Sequence, residues 1–250
     1  MKSSASGTFW QHLDVLRWVI LRSLIVAAVF AVAAFCMKGW LFTIVLAPRT
    51  SDFITFQWLG VEPFSIHLMN TGLTEQFMTH MRVAIYAGLL CAAPYIIYEL
   101  FRFVSPGLYQ NERRAGFWIV SSGYLMFMLG TLPNYLLIFP LTVRFLGTYQ
   151  VSPEVDNMLT LQSYTDTLIS MSLVMGVIFE LPVICAILGR MRILSSQLMS
   201  RYRRHAIVAI LVVAAIITPT TDVFTLIIVS LPIWLLYELS ILIVRVMRPA

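Results

Sequence analysis

Between Arg114 and Arg144 the chain runs for twenty-nine residues without a single charge. As an α-helix rising about 1.5 Å per residue, such a run is roughly 43 Å long, more than the roughly 30 Å hydrocarbon core of a bilayer. In lipid every backbone N–H and C=O must find its partner within the protein, which restricts a spanning segment to helix or closed barrel, and uniform apolarity without alternation selects the helix. The remainder of the chain is of the same kind. It is 59% hydrophobic and 12% charged, whereas a soluble domain carries about 25% charged residues. The 250 residues are therefore read as one all-α integral membrane domain, 1–250.

Six segments read as transmembrane helices, at about 18–37, 81–103, 115–143, 167–189, 205–217 and 223–244. Lys2, Arg17 and Arg22 ahead of an apolar run, followed by Ala31, Val32 and Ala33, imitate a signal peptide with its cleavage site. The run continues to Met37, and it is read as the first span. Gly130 and Pro133 predict a kink in the third. The fifth is short, its apolar part 206–217 amounting to about 18 Å of helix, and the link "TPTTD" makes a tight hairpin with the sixth, also expected to be short.

With six spans both termini share a side, and that side collects thirteen of the seventeen basic residues. By the positive-inside bias it is the cytoplasm. The other side holds only Lys38, Arg49, Arg82 and Arg144, against seven acids. The basic excess is thus explained by orientation and anionic lipid, so no nucleic acid partner is expected. Two connections on the acidic side are long, 39–80 and 144–166, and loops of that length commonly carry short helices of their own. Pro153 and Asp156 suit a turn or helix start in the second.

Three cysteines in apolar runs and four scattered histidines show no CxxC or HExxH spacing, so no metal, cofactor or disulfide is expected. The informative residues are charged ones in or beside lipid. Glu180 stands inside "MSLVMGVIFELPVICAIL", where inserting an acid costs about 3 kcal/mol. Three roles would justify that: a hydrogen bond to another helix of the same bundle, a proton relay, or docking of a polar residue on another protein's helix. Pro182 removes the donor for the carbonyl of Ile178 and should bend the span beside Glu180. Glu112 lies just outside the second span, immediately before Arg113 and Arg114. Phe9, Trp10 and Trp18 suit interfacial anchors, and Asp14, Arg17 and Arg22 headgroup contacts.

Taken in order, "HLDVLR" before the first span, "LAP" at Leu46 to Pro48, "FRFVSPGLYQNERR" after the second, "FELP" in the fourth, "TPTTDVF" in the last hairpin and "YE" at Tyr237 and Glu238 resemble the TatC family. TatC is the multi-spanning receptor subunit of the twin-arginine translocase, and the resemblance covers nearly the whole chain. It implies a concave six-helix bundle in the bacterial inner membrane with no enzymatic activity. Such a protein binds signal peptides bearing two consecutive arginines at its cytoplasmic face. It recruits TatB-like and TatA-like single-span partners, assembles with other copies of itself, and moves folded cargo using the proton motive force.

By the same resemblance, Glu112 contacts the signal arginines, a role suited to a carboxylate that can grip a guanidinium with two hydrogen bonds. Phe103 packs near the signal peptide. Arg17 orders nearby carboxylates or lipid phosphates, and Glu180 meets a polar position on a partner helix. Pro48 and Asp222 match outer-face positions, read here as structural, Pro48 ending a helix and Asp222 capping the sixth span. One position departs from the family pattern. The motif usually reads H-L-x-E-L-R, and this chain has Val15 where the glutamate belongs. Asp14 is adjacent but about 100° away around a helix; either the segment unwinds locally and Asp14 serves, or Glu112 carries most of the recognition.

The alternative function is a proton-coupled secondary transporter using the intramembrane carboxylate. That would call for internal repeats and a second ionisable group at the midplane, and the sequence offers neither. An intramembrane protease would need GxSxG or paired aspartates.

Overall fold

The computed structural model describes residues 4–60, 62–104, 113–149, 152, 158–218 and 223–247, with side chains for 13–60, 62–103, 120–149, 152, 158–218 and 223–246. Its helices are α1 (Ser4–Cys36), α2 (Lys38–Leu46), α3 (Ile54–Trp58), α4 (Glu75–Val104), α5 (Arg113–Pro133), α6 (Phe139–Thr148), α7 (Leu161–Phe179), α8 (Leu181–Arg190), α9 (Ser196–Arg201), α10 (Arg203–Ile217) and α11 (Val223–Met247). Two two-residue strands, β1 (Leu68–Met69) and β2 (Leu159–Thr160), pair in parallel. The protein is an all-α membrane protein. Among the described residues, five segments are long and apolar enough to cross a bilayer: Leu13–Cys36, Glu75–Phe103, Val120–Thr148, Leu161–Arg190 and Val223–Val246. They coincide with five of the six predicted spans. The other, 205–217, is helical as α10 but only 15 residues long, about 22 Å. The last span, expected to be short, is a full-length helix of 25 residues that extends three residues beyond its predicted end, to Met247.

The third and fourth spans are interrupted where proline predicts it. In the third, α5 ends at Pro133 and passes through one π-helical turn, Asn134–Ile138, before α6 resumes. In the fourth, α7 stops at Phe179 and α8 starts at Leu181, with Glu180 alone between them and Pro182 in the first turn of α8.

The chain divides into two compact units. The first comprises Met1–Leu41 and His80–Tyr124. Here α1 and α4 run antiparallel and close together. A Cβ added to Gly88 would lie 2.5 Å from the Ala31 backbone nitrogen and 2.7 Å from the Ala27 carbonyl oxygen, and Ala27, Ala84 and Ala92 are buried at the same contact. In lipid, where neighbouring helices gain nothing from excluding water, small residues that admit close backbone approach are what hold them together. Nearer the C-terminal end of α1 the Phe35 ring stacks on His80, centroids 4.1 Å apart.

The second unit comprises Phe42–Thr79 and Leu125–Ala250. The first long connection carries the short helices α2 and α3 expected of it and the strand β1; the second carries β2, and Pro153 and Asp156 lie outside the described residues. Side chains pin the connections to helix ends. Tyr164 Oη donates to the Val45 carbonyl at 3.0 Å, Tyr135 Oη to that of Ile44 at 2.6 Å, and Thr55 Oγ1 to that of Leu136. The buried Glu75 accepts from the backbone N–H of Thr71 (2.8 Å), Gly72 (2.9 Å) and Gln162 (3.1 Å) and from the Thr71 hydroxyl (3.1 Å). One carboxylate thus fastens the start of α4 to the start of α7. Glycines again mark the close crossings: a Cβ at Gly130 would lie 2.6 Å from the Met175 carbonyl, and one at Gly176 2.6 Å from the Phe127 ring. At the other end Tyr237 Oη donates to the Met199 carbonyl at 2.8 Å, and Arg203 pairs with Glu238 at 2.8 Å.

Gly88→Ala is expected to lower thermal stability in detergent, because backbone on both sides cannot yield as a flexible side chain would; overpacking of this kind costs about 1–3 kcal/mol. Gly39→Ala, with nothing within 4 Å of its added Cβ, is the matched control. Equal melting temperatures for the two variants would contradict the close α1–α4 crossing.

Candidate functional site

The residues singled out by the sequence fall into two groups. On α1, Asp14, Val15 and Arg17 are all solvent-exposed and lie within uninterrupted helix. The local unwinding that would swing Asp14 into Val15's direction is absent, and the two side chains leave the helix about 100° apart. On α4, Phe103 is half-buried in the last turn. Glu112 lies outside the described residues, just before α5.

Sequence reasoning gave no role to the most buried carboxylate among the described residues of this unit. Glu99 is 3% exposed, one helical turn before Phe103. Its Oε1 is approached by three groups: Tyr95 Oη donates to it at 3.2 Å, Arg22 Nη1 stands at 3.8 Å and Arg102 Nη1 at 3.9 Å. Tyr95 and Arg102 sit at spacings of four and three from Glu99, a pattern legible on a helix. Arg22 comes from α1, and nothing in the sequence pairs it with position 99. Both arginine side chains are half-exposed or more, at 49% and 61%.

The second group centres on Glu180. The break between α7 and α8 places it ten residues, about 15 Å, from Arg190 at the end of the span. Pro182 supplies no N–H to the carbonyl of Ile178, and the backbone closes instead with Glu180 N–H donating to Val177 at 3.1 Å and Ile184 N–H donating to Glu180 at 3.0 Å. The side chain makes no capping bond to α8, and its Oε1 is buried without a hydrogen-bond partner among the described residues. The Gly130 and Gly176 crossings hold the third span against α7 just before the break, and beside them Asn134 Nδ2 donates to Ser172 Oγ at 2.8 Å in full burial. On another side of α7, the short α10 leaves an apolar groove lined by Ser170, Val174, Val213, Ile216 and Ile217.

Pro48 is buried in the 3₁₀ turn Ala47–Arg49 that follows α2. Asp222 precedes α11 and lies outside the described residues. Among the described residues no three His, Cys, Asp or Glu side chains gather in a way that could hold a metal ion.

The family model described as Sec-independent protein translocase protein (TatC) matches residues 11–232. The Sec-independent protein translocase protein TatC of Deinococcus radiodurans is 33% identical over 245 residues, covering 98% of this chain and 88% of that protein. TatC of Desulforapulum autotrophicum is 34% identical over 245 residues, covering 98% and 87%. Among solved structures, a crystal structure of the twin arginine translocase receptor TatC superposes with a TM-score of 0.80 at 27% identity, over 95% of this chain and 100% of that one.

A buried acceptor left without a donor costs about 1–3 kcal/mol, and its removal in favour of a similarly sized apolar group is commonly stabilising. Glu180→Leu is therefore expected to raise the melting temperature of the isolated protein in detergent by about 2–4 °C. A fall of similar size would mean that Glu180 already has its partner inside the chain.

Proposed function

Because this chain belongs to the TatC family, we propose that it is the signal-peptide receptor of a twin-arginine translocase. It is a translocase component and not an enzyme, and a multi-pass protein of the bacterial inner membrane. The proposed topology has six crossings, α10 providing the short one, with both termini in the cytoplasm. The observation that carries the receptor reading is the end-to-end agreement with a structure described as the twin arginine translocase receptor, at a TM-score of 0.80.

In this reading the cytoplasmic face around the ends of α1 and α4 takes the twin arginines. Glu112 is the principal acceptor, with Phe103 against the apolar part of the signal. Arg17 positions acids or lipid phosphates, and Asp14 adds negative charge at the rim. Arginine is preferred to lysine because a planar guanidinium gives a carboxylate two parallel hydrogen bonds, and an ammonium gives it a point charge.

Glu180 serves the second task. Its unpartnered oxygen waits for a hydroxyl or amide on the transmembrane helix of a TatB-like or TatA-like subunit. The groove between α7 and α10 offers that helix a bed, since Val174 on its wall is six residues, about 9 Å of rise, from Glu180. Pro48 and Asp222 shape the outer face. Other copies of the chain and the single-span subunits complete a complex that carries folded cargo, driven by the proton motive force.

Binding of a fluorescent twin-arginine signal peptide and its twin-lysine control to the detergent-purified protein tests the receptor reading. Arg-Arg should bind about 10-fold or more tightly than Lys-Lys, the equivalent of about 1.4 kcal/mol. Glu112→Gln should erase most of that preference, and Asp14→Asn should weaken both peptides by less than about threefold, as loss of an exposed charge does. Equal binding of both peptides by the wild type would refute the reading for the isolated chain.

A further inference from the structure

The carboxylate missing at Val15 has a counterpart deeper in the same unit. Val15 and Arg22 are seven residues apart on α1, which on a helix returns to the same face within about 20°, about 10.5 Å along. Arg22 reaches Glu99. On α4, Tyr95, Glu99 and Phe103 are spaced by four and share a face. Glu99 thus lies one turn inward from Phe103 and two turns inward from the position where the family pattern places its glutamate.

Its pairing is unlike that of a settled structural ion pair. Arg203 and Glu238 show what such a pair looks like in this molecule, 2.8 Å apart with the glutamate side chain 26% exposed. Glu99 is far more buried, at 4%, yet its two guanidiniums stop at 3.8 and 3.9 Å, crowd the same oxygen and belong to side chains that are 49% and 61% exposed. A carboxylate so buried is expected to draw hydrogen bonds of about 2.7–2.9 Å from a guanidinium. Neither arginine supplies one.

Resting on the receptor reading above, we propose that Glu99 is a second guanidinium-binding carboxylate of the twin-arginine site, held in the resting protein by Arg22 and Arg102 and released to an arginine of the signal peptide. The exchange brings one well-placed guanidinium to the carboxylate as the two distant ones withdraw, so the buried charge keeps a cationic partner throughout. The departing side chains are already largely solvated, and loosening an exposed pair costs little. Lysine gains less at this site, since its compact ammonium cannot fork onto a buried carboxylate.

Binding of the Arg-Arg and Lys-Lys fluorescent peptides to full-length protein in detergent tests this with Glu99→Gln, Arg22→Gln, Arg102→Gln and the Glu99→Gln/Arg22→Gln double variant, thermal unfolding reporting the fold of each. Arg22→Gln should tighten Arg-Arg binding about 3- to 10-fold, because it removes a competitor, and leave Lys-Lys binding unchanged; Arg102→Gln should act in the same direction. Glu99→Gln should weaken Arg-Arg binding about 10-fold and spare Lys-Lys, and the double variant should match Glu99→Gln alone. A purely structural Glu99 would give the opposite pattern for Arg22→Gln, unchanged or weaker binding, and that result overturns the proposal. If Glu99→Gln fails to fold, the two arginine variants decide: tightening supports the proposal and its absence overturns it. A wild type that does not distinguish the peptides refutes the receptor reading itself, whereas one that does and retains its preference in a folded Glu99→Gln refutes only the role of Glu99.

Discussion

Lipid offers no hydrogen bonds, and the architecture follows from that one deficit. Each backbone polar group carried into the hydrocarbon must be answered from within the protein. The backbone answers by being helical. The hydroxyls of the spans answer by bonding back to the carbonyl one turn earlier, as Thr142 does to Ile138 at 2.9 Å, Thr218 to Ala214 at 3.0 Å and Ser240 to Leu236 at 2.7 Å. Two prolines mark places where the helix is broken or rewound, whereas α4 and α11 run through Pro94 and Pro232. Pro133 is followed by a π turn, and Pro182 is preceded by the stop at Glu180.

The same deficit determines how helices adhere. With no water to exclude between them, they gain from close contact, and contact is closest where a side chain is missing. Gly88 against Ala27 and Ala31, Gly130 against Met175, and Gly176 against Phe127 are such places. The last two bring the third span onto α7 directly before the break, so the packing that secures the fold also fixes where Glu180 stands.

Hydropathy and proline spacing were enough to locate five apolar spans, the interruption in the third, the break beside Glu180 and the short helix at 205–217, because these are local consequences of which side chains tolerate lipid. Contacts made across the chain were not legible. Nothing local joins Arg22 to Glu99, Tyr164 to Val45, or Leu68 to Leu159, since each pair depends on which helix ends the tertiary fold brings together. Glu75 falls between these cases: Gly72 and Glu75 have the spacing of a carboxylate that reaches back to cap its own helix, but its third backbone donor, Gln162, is 87 residues away. The sequence left open whether Asp14 could stand in for a glutamate at position 15. Continuous helix through both residues answers that in geometric terms. Family membership, in turn, chooses a translocase component over a carrier, a choice that the lone membrane acid could not make by itself.

Three glutamates in or beside the membrane illustrate how the degree of saturation separates internal from external roles. Glu75 receives four hydrogen bonds, three of them from backbone N–H; its acceptor capacity is spent inside the fold, and its task is to hold two helix starts together. Glu99 receives one hydrogen bond from Tyr95 and two distant cations, enough to compensate its charge but leaving it able to gain from a better-placed guanidinium. Glu180 has a buried oxygen with no donor among the described residues, at a helix break that the packing of its neighbours keeps in place. An acid that costs about 3 kcal/mol to insert and is then left unanswered by its own chain makes sense when the missing donor comes from another. Ranking buried carboxylates by what they still lack therefore orders them by how much they could gain from outside the chain: least for Glu75, more for Glu99, whose proposed partner is a signal-peptide arginine, and most for Glu180, whose proposed partner is a neighbouring subunit's helix.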